Sequence, residues 1–509
     1  MSRLHVASLI GILSVAALAA VSCQNTANTG TEPGAGGGVA DGTSTGSGNG
    51  GGSAAIVTFQ PTGCAFSVQS RPEYIGYQPG GAMTAAAPNI RRVRLGLGGN
   101  VVPGGAGHAD PSTSIGVAWQ TDEGTAASDV EWGPSPDPTS WPTGNRTSGV
   151  TWDTPEAELN TGQGNERMHE AYVCGLTSAT TYYYRVGGGA AGAEQWSDVY
   201  AFTTTPASGT AAPVKIALTG DSRGEQENAW QLLQGRVNQA GVTMQLFSGD
   251  MINLAPDQTE WELWLDSAWK DTSGNLSALG QLLTLAAHGN HDNHTSLFYG
   301  NLVLPQDVQT YAAYVELFYS VDVGPVHVVV VDDSFIADPT EDPSYASILK
   351  SWLDQDLGAA TANRGNVPWI VTVHHRPEYS SSLHGMDLDV LNTREFFAPI
   401  WEQYKVNLAV GGHDHDYERS KPLSGSADAP TIHSDTRDGT TYLVCAGAGA
   451  DGYSKGTNPW TAISSDFTSG GAIGFYAYLT ATTNGMTLES HELRTDASDP
   501  VIDTLTFTP

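Results

Sequence analysis

The stretch Val406-Asn-Leu-Ala-Val-Gly-Gly-His-Asp-His415 decides how this chain is built. Its apolar run reads as a buried strand, its glycines permit an abrupt turn, and the strand then delivers imidazole and carboxylate at its end. Four earlier runs finish in the same way. Val214-Lys-Ile-Ala-Leu218 precedes Gly220-Asp221, and Thr243-Met-Gln-Leu-Phe247 precedes Gly249-Asp250. Leu282-Leu-Thr-Leu285 precedes Gly289-Asn-His-Asp292, and Trp369-Ile-Val-Thr-Val373 precedes His374-His375. Helical stretches at 226–240, 260–270, 345–357 and 393–404 alternate with these runs, the pattern of an α/β domain over residues 208–509. Open α/β sheets bind ligands beyond the carboxyl ends of their strands, so these polar tips are expected to converge.

Residues 56–207 have a different texture. Short β-branched and aromatic strands, such as 114–119, 128–132 and 181–186, are separated by Gly/Pro turns, which predicts an antiparallel sandwich. No ligand constellation stands out there, and a packing or positioning role is expected. Residues 1–23 read as an export leader: Arg3 precedes an apolar run too short to span a bilayer, closed by Ser22-Cys23. A Cys after small residues also fits a bacterial lipobox acylated at Cys23, with plain secretion as the alternative. Residues 24–55, nearly all Gly, Ser, Thr, Asn and Ala, read as a flexible linker. A cell-envelope lipoprotein or a secreted protein follows, touching membrane only through such an anchor.

Composition narrows the function classes. With 54 acidic and 22 basic residues the formal charge is -32, which repels phosphate backbones and argues against a nucleic-acid partner. Four cysteines in 509 residues cannot form a dense disulfide framework, so packing must hold the fold. Cys64 and Cys174 fall in one region and could pair; buried unpaired thiols are the other reading.

The strand-tip residues share a chemistry. Carboxylate, amide and imidazole without thiolate suit borderline or hard metal ions. His413 and His415, two apart on an extended segment, would face one site. An aspartate bridging two metal ions ~3.5–4 Å apart could hold a hydroxide and a phosphoryl oxygen together. The ordered set Gly-Asp, Gly-Asp, Gly-Asn-His-Asp, strand-end His and Gly-His-Asp-His resembles the calcineurin-like metallophosphoesterase superfamily. Gly412-His-Asp-His-Asp-Tyr-Glu-Arg419 is similar to the purple acid phosphatase branch. Tyr172-Val-Cys-Gly-Leu176 with Thr180-Thr-Tyr-Tyr-Tyr-Arg185 resembles the late strands of fibronectin type III modules.

That resemblance implies a four-layer αββα catalytic sandwich behind an all-β immunoglobulin/fibronectin-like sandwich. It implies two metal ions, drawn from iron, zinc or manganese. Asp221, Asp250 and His415 would hold the first; Asp250, Asn290, His375 and His413 would hold the second. His375 rather than His374 is the expected ligand, since adjacent strand residues face opposite sides and the family's ligand lies two residues before a proline. His291 would contact phosphate and assist the leaving group, Asp292 would orient and charge its imidazole, and His384 would contact substrate. His288, Asp332, Asp333, Tyr417 and Arg419 read as supporting residues.

Two positions depart from the family. Asn253 stands where purple acid phosphatases carry Tyr, and Arg223 where other members carry His, so the first metal loses a protein ligand. Asn253 or water would fill the gap with weaker binding, and without tyrosinate the protein would be colourless. Arg223 reads either as a clamp on substrate phosphate or as a structural ion pair. The expected activity is hydrolysis of a small phosphate monoester. A phosphodiesterase on the same site, or a non-catalytic cell-surface binding protein, are the alternatives.

Overall fold

The computed structural model describes residues 55–83, 86–154, 166–223, 227–268, 270, 276–467 and 471–509. The expected leader, Cys23 and the polar stretch to residue 54 lie outside the described residues. From Ser53 to Pro509 the chain forms one compact unit.

The amino-terminal part is a sandwich of two five-stranded sheets, antiparallel in every pairing. The strands expected at 114–119, 128–132 and 181–186 are Ser114–Asp122, Asp129–Gly133 and Thr181–Gly188. Alternating side chains enclose a core of Val117, Trp119, Val130, Val173, Tyr184 and Val186. Cys64 and Cys174 are joined by a disulfide with Cα atoms 5.4 Å apart, and Cys445 is a buried free thiol.

Two larger sheets follow. The first carries β1 (Val214–Thr219), β2 (Met244–Phe247) and β3 (Thr284–Ala286), mutually parallel. The second carries β4 (Phe318–Val323), β5 (Val326–Val331), β6 (Trp369–Val373), β7 (Leu408–Gly411), β8 (Tyr417–Ser420), β9 (Thr441–Cys445) and β10 (Thr461–Ser465). There β5, β6, β7 and β9 run parallel. The carboxyl-terminal strands β11 (Gly474–Thr482), β12 (Gly485–Leu493) and β13 (Val501–Phe507) extend the first sheet antiparallel beside β1.

The helices are α1 (Glu227–Gln239), α2 (Gln258–Ser267), α3 (Ser296–Asn301), α4 (Ser334–Ala337), α5 (Tyr345–Ala362) and α6 (Leu388–Gln403). The longer ones complete the αββα layers, burying Trp230 and Leu233 of α1, Leu349, Trp352 and Leu353 of α5, and Phe397 and Trp401 of α6 in one continuous core. Helix α6 begins five residues before the stretch read as helical, its first turn carrying exposed Leu388 and buried Val390. The short α3 and α4 left no periodic signal.

The sandwich is not a separate bead. Arg94, buried, donates to the carbonyls of Gly300 (2.9 Å) and Asn301 (2.5 Å), and Leu97 N–H donates to the Val303 carbonyl at 2.9 Å. Gly96 is required at that seam: a Cβ there would lie 2.2 Å from the Val303 carbonyl oxygen.

Candidate metal centre

Five strand ends meet. After β1 comes Asp221, after β2 Asp250, after β3 Asn290, after β6 His375, and after β7 His413 with His415. The backbone at the tips is unusual. Asp221 (φ 56°), Asp250 (φ 58°) and His413 (φ 68°) all take left-handed conformations that non-glycine residues seldom adopt. Of the preceding glycines only Gly249 (φ 96°) needs positive φ. The others give close approach: a Cβ on Gly289 would sit 2.3 Å from Asp250 N, and one on Gly412 2.2 Å from Asp221 Oδ2. The segment 412–416 is a series of bends, so His413 and His415 reach the centre through the turn and not through strand alternation.

Around the second expected position, His375 Nε2 lies 2.8 Å from Asn290 Oδ1, 3.3 Å from His413 Nδ1 and 3.4 Å from Asp250 Oδ1, and His413 Nδ1 lies 2.9 Å from Asn290 Oδ1. Ligand atoms about 2.1 Å from a common ion and about 90–109° apart are separated by about 3.0–3.4 Å; two of the four separations fall in that range and the two to Asn290 are 0.1–0.2 Å shorter. His375 Nδ1–H donates to the Ser248 carbonyl at 2.9 Å, which fixes the ring with Nε2 turned inward, the orientation of a metal-ligating imidazole. Burial, reinforced by His375, lowers the His413 pKa well below the imidazole value and so keeps its lone pair available. His374 points away, against Phe397, Trp401 and Glu378.

Around the first position, His415 Nε2 is 3.6 Å from Asp221 Oδ1, and its Nδ1–H is held by the Asp451 carbonyl at 2.6 Å. Asp221 Oδ2 is buried without a hydrogen bond, and Asp250 Oδ2, also buried, meets only the charge of Arg223. Burial pushes the Asp221 carboxyl up to about 8, Asp250 adding to the rise and His375 opposing it. Burial also disfavours charge on Asp250, yet His375, His291 and Arg223 hold it well below the usual carboxylate range. Two buried carboxylates, one with an oxygen that no donor reaches, and imidazole nitrogens turned inward make a donor set that fits cations.

Several expected roles change. Asp292 does not orient His291: its carboxylate accepts the backbone N–H groups of Asp250 (2.7 Å), Met251 (2.9 Å) and Gly289 (3.0 Å), and so clamps two of the tips together. His291 instead donates from Nδ1 to the Asn253 carbonyl at 2.8 Å, and its backbone N–H reaches Asp250 Oδ1 at 2.8 Å. The Asn253 side chain, expected as a metal contact, has Oδ1 taken by Arg223 at 3.2 Å. Arg223 lies along the first position, with Nε 3.1 Å from Asp250 Oδ2 and a terminal nitrogen 3.3 Å from His415 Nε2. His384 lies over the centre, its ring 4.8 Å from that of His413 and its Nδ1 2.8 Å from Asp387.

Asp333 supports His375 by accepting its backbone N–H at 3.0 Å and pairing with Arg376 at 2.7 Å. Tyr417 reaches Ser490 (2.9 Å) and Asp503 (2.8 Å), and Arg419 pairs with Asp503, so both tie the histidine loop to the opposite sheet. His288, His294 and Asp332 also cluster, but the two rings stack 4.3 Å apart at 12°, with His294 Nε2 held by Asp332 at 2.6 Å and His288 Nε2 by the Asn293 carbonyl. Tyr453, stacked on His415 at 4.2 Å, was not legible in the sequence, because it sits in an irregular loop without a motif.

Comparison with known proteins agrees with this geometry. Residues 106–204 match the purple acid phosphatase N-terminal domain, and residues 214–417 match the calcineurin-like phosphoesterase family. A purple acid phosphatase of Glycine max is 28% identical over 274 residues, covering 51% of this chain and 54% of that protein. The Fe(3+)-Zn(2+) purple acid phosphatase 12 of Arabidopsis thaliana is 26% identical over 278 residues, with 51% and 54% covered. An uncharacterized protein of Mycobacterium tuberculosis is 28% identical over 452 residues, covering 80% of this chain and 75% of its own length. The chain thus spans about half the length of these two plant relatives. In fold it is similar to the purple acid phosphatase PPD1 of yellow lupin, with a TM-score of 0.61 at 17% identity over 87% of this chain and 81% of that one.

Proposed function

Given that the chain belongs to the calcineurin-like metallophosphoesterases, in the branch that carries the purple acid phosphatase N-terminal domain, we propose that it is a metal-dependent phosphatase hydrolysing small phosphate monoesters. The observation that carries this reading is the quartet of Asp250, Asn290, His375 and His413 atoms at metal-edge spacing. Asp221, Asp250 and His415 would hold a companion ion, with Asp250 shared; iron, zinc and manganese all suit these donors. Bound ions would supply Lewis acidity towards water and phosphoryl oxygen.

The chain's own residues account for the rest. His384, with Nδ1 anchored on Asp387, presents Nε2 to a phosphate oxygen. His291, with Nδ1–H anchored on the Asn253 carbonyl, leaves Nε2 as the atom that would pass a proton to a leaving alkoxide. Asp292 and Asp333 move no proton; they fix the turns that carry Asp250 and His375. A leader-like residue 1–23 segment supports export, free or anchored at Cys23.

The test compares p-nitrophenyl phosphate with bis(p-nitrophenyl) phosphate in buffer supplied with manganese, zinc or iron. Faster monoester turnover is expected. Preference for the diester would make the protein a phosphodiesterase. Arg223 against the first-position ligands favours one further reading, a binding protein without catalysis, which absent turnover with both esters would establish.

A further inference from the structure

Arg223 approaches the atoms that would ligate the first ion, and it also lines a neighbouring cavity. Its guanidinium lies 3.1 Å from Asp250 Oδ2 and 3.3 Å from His415 Nε2, and Asn253 Oδ1 holds its third nitrogen at 3.2 Å. His415 Nε2 is an acceptor there, since the other ring nitrogen donates to Asp451. The cavity beside it, about 280 Å³, is bounded by Trp230, Leu263, Trp264 and Glu260. Its walls are two indoles stacked on each other and a carboxylate whose Oε2 accepts the Asn253 and Leu254 N–H groups, so a guanidinium entering it would meet apolar surface and a negative charge.

We propose that Arg223 is a displaceable counter-ion for the first metal position: it neutralises Asp250 and caps His415 when no ion is there, and swings into the Trp264–Glu260 cavity when one binds. A fixed guanidinium and a metal cation sharing the same oxygen repel, so the two states exclude one another. The two positions then fill in order. The Asp250–Asn290–His375–His413 position binds tightly, and the first binds weakly because an arginine must leave.

This inference rests on the metal-centre reading above, and the experiment separates the two. Metal-free protein is titrated with Mn2+ by calorimetry, alongside Arg223→Met and Arg223→Ala, each checked for folding by circular dichroism. Two binding steps are expected in the parent chain. In both variants the weaker step should tighten by about tenfold or more, the scale on which removing one neighbouring like charge acts, while the tighter step, which meets Asp250 through its other oxygen, changes less. A weaker step that is unchanged or loosened in both variants overturns the proposal, and leaves Arg223 as a phosphate clamp or a structural pair. No binding by any of the three chains would overturn the metal-centre reading itself.

Discussion

At the scale of single residues, the centre is built from conformations and contacts that tolerate little change. Asp250 spends one oxygen on the His291 backbone and the His375 edge and the other on Arg223. Asp250→Asn removes the charge that two positions would share. It should lose both turnover and the tighter Mn2+ step, and retained turnover would remove Asp250 from the shared position. Gly412→Ala should leave the protein folded but lower its stability by about 1–3 kcal/mol, as overpacking does. The new Cβ would lie 2.2 Å from Asp221 Oδ2 and 2.7 Å from Ser248 Oγ, so metal affinity should fall with it; an unchanged melting point and affinity would contradict that placement. That His375 and His374 face opposite ways, one to the strand tips and the other to Phe397 and Trp401, follows from strand alternation, a local rule; which of the two turns inward was implied only by the family resemblance. Sequence alone misassigned Asp292, because nothing local says that a carboxylate beside a histidine will turn to three amides of other turns.

At the scale of elements, β4 and β5 carry their own titrating group. His327 on β5 is buried between Asp322 Oδ1 (2.8 Å) and Asp356 Oδ2 (2.9 Å). Burial opposes its charge, but Asp356 and Asp322 overcome this and raise its pKa from 6.5 to about 10. A folded value above the unfolded one stabilises fully below about pH 6.5, and that contribution disappears as pH rises through about 10. Denaturant unfolding should therefore show His327→Gln clearly less stable than the parent at pH 6, with the gap closing by pH 10; a constant gap would mean that the imidazolium contributes nothing. Strand β6 was legible, since it coincides with the largely apolar run Trp369–Val373. The short helices α3 and α4 were not, for they are held by tertiary packing and span too few residues to show a period.

At the scale of the whole molecule, the disulfide joins positions 110 residues apart, pinning the amino-terminal segment to the end of a sandwich strand. Cys174→Ser with Cys64→Ser should cost about 4–5 kcal/mol, the chain entropy of a loop of that length, read as a drop in thermal midpoint without change in the ratio of the two Mn2+ steps. A shift in that ratio would show the sandwich and the centre to be coupled through the Arg94 seam. By itself the sequence determined the inventory: apolar runs that become strands, the acids, amide and imidazoles at their tips, and the break in texture between the two regions. These follow from periodicity and side-chain chemistry within a dozen residues. Only the tertiary structure decided which atoms meet. Arg223 and His415 are 192 residues apart, and their contact exists because β1 and β7 end at the same crevice from different sheets. The left-handed turns, the clamp by Asp292 and the guanidinium at the first position are products of that convergence, since each depends on the backbone of a distant strand.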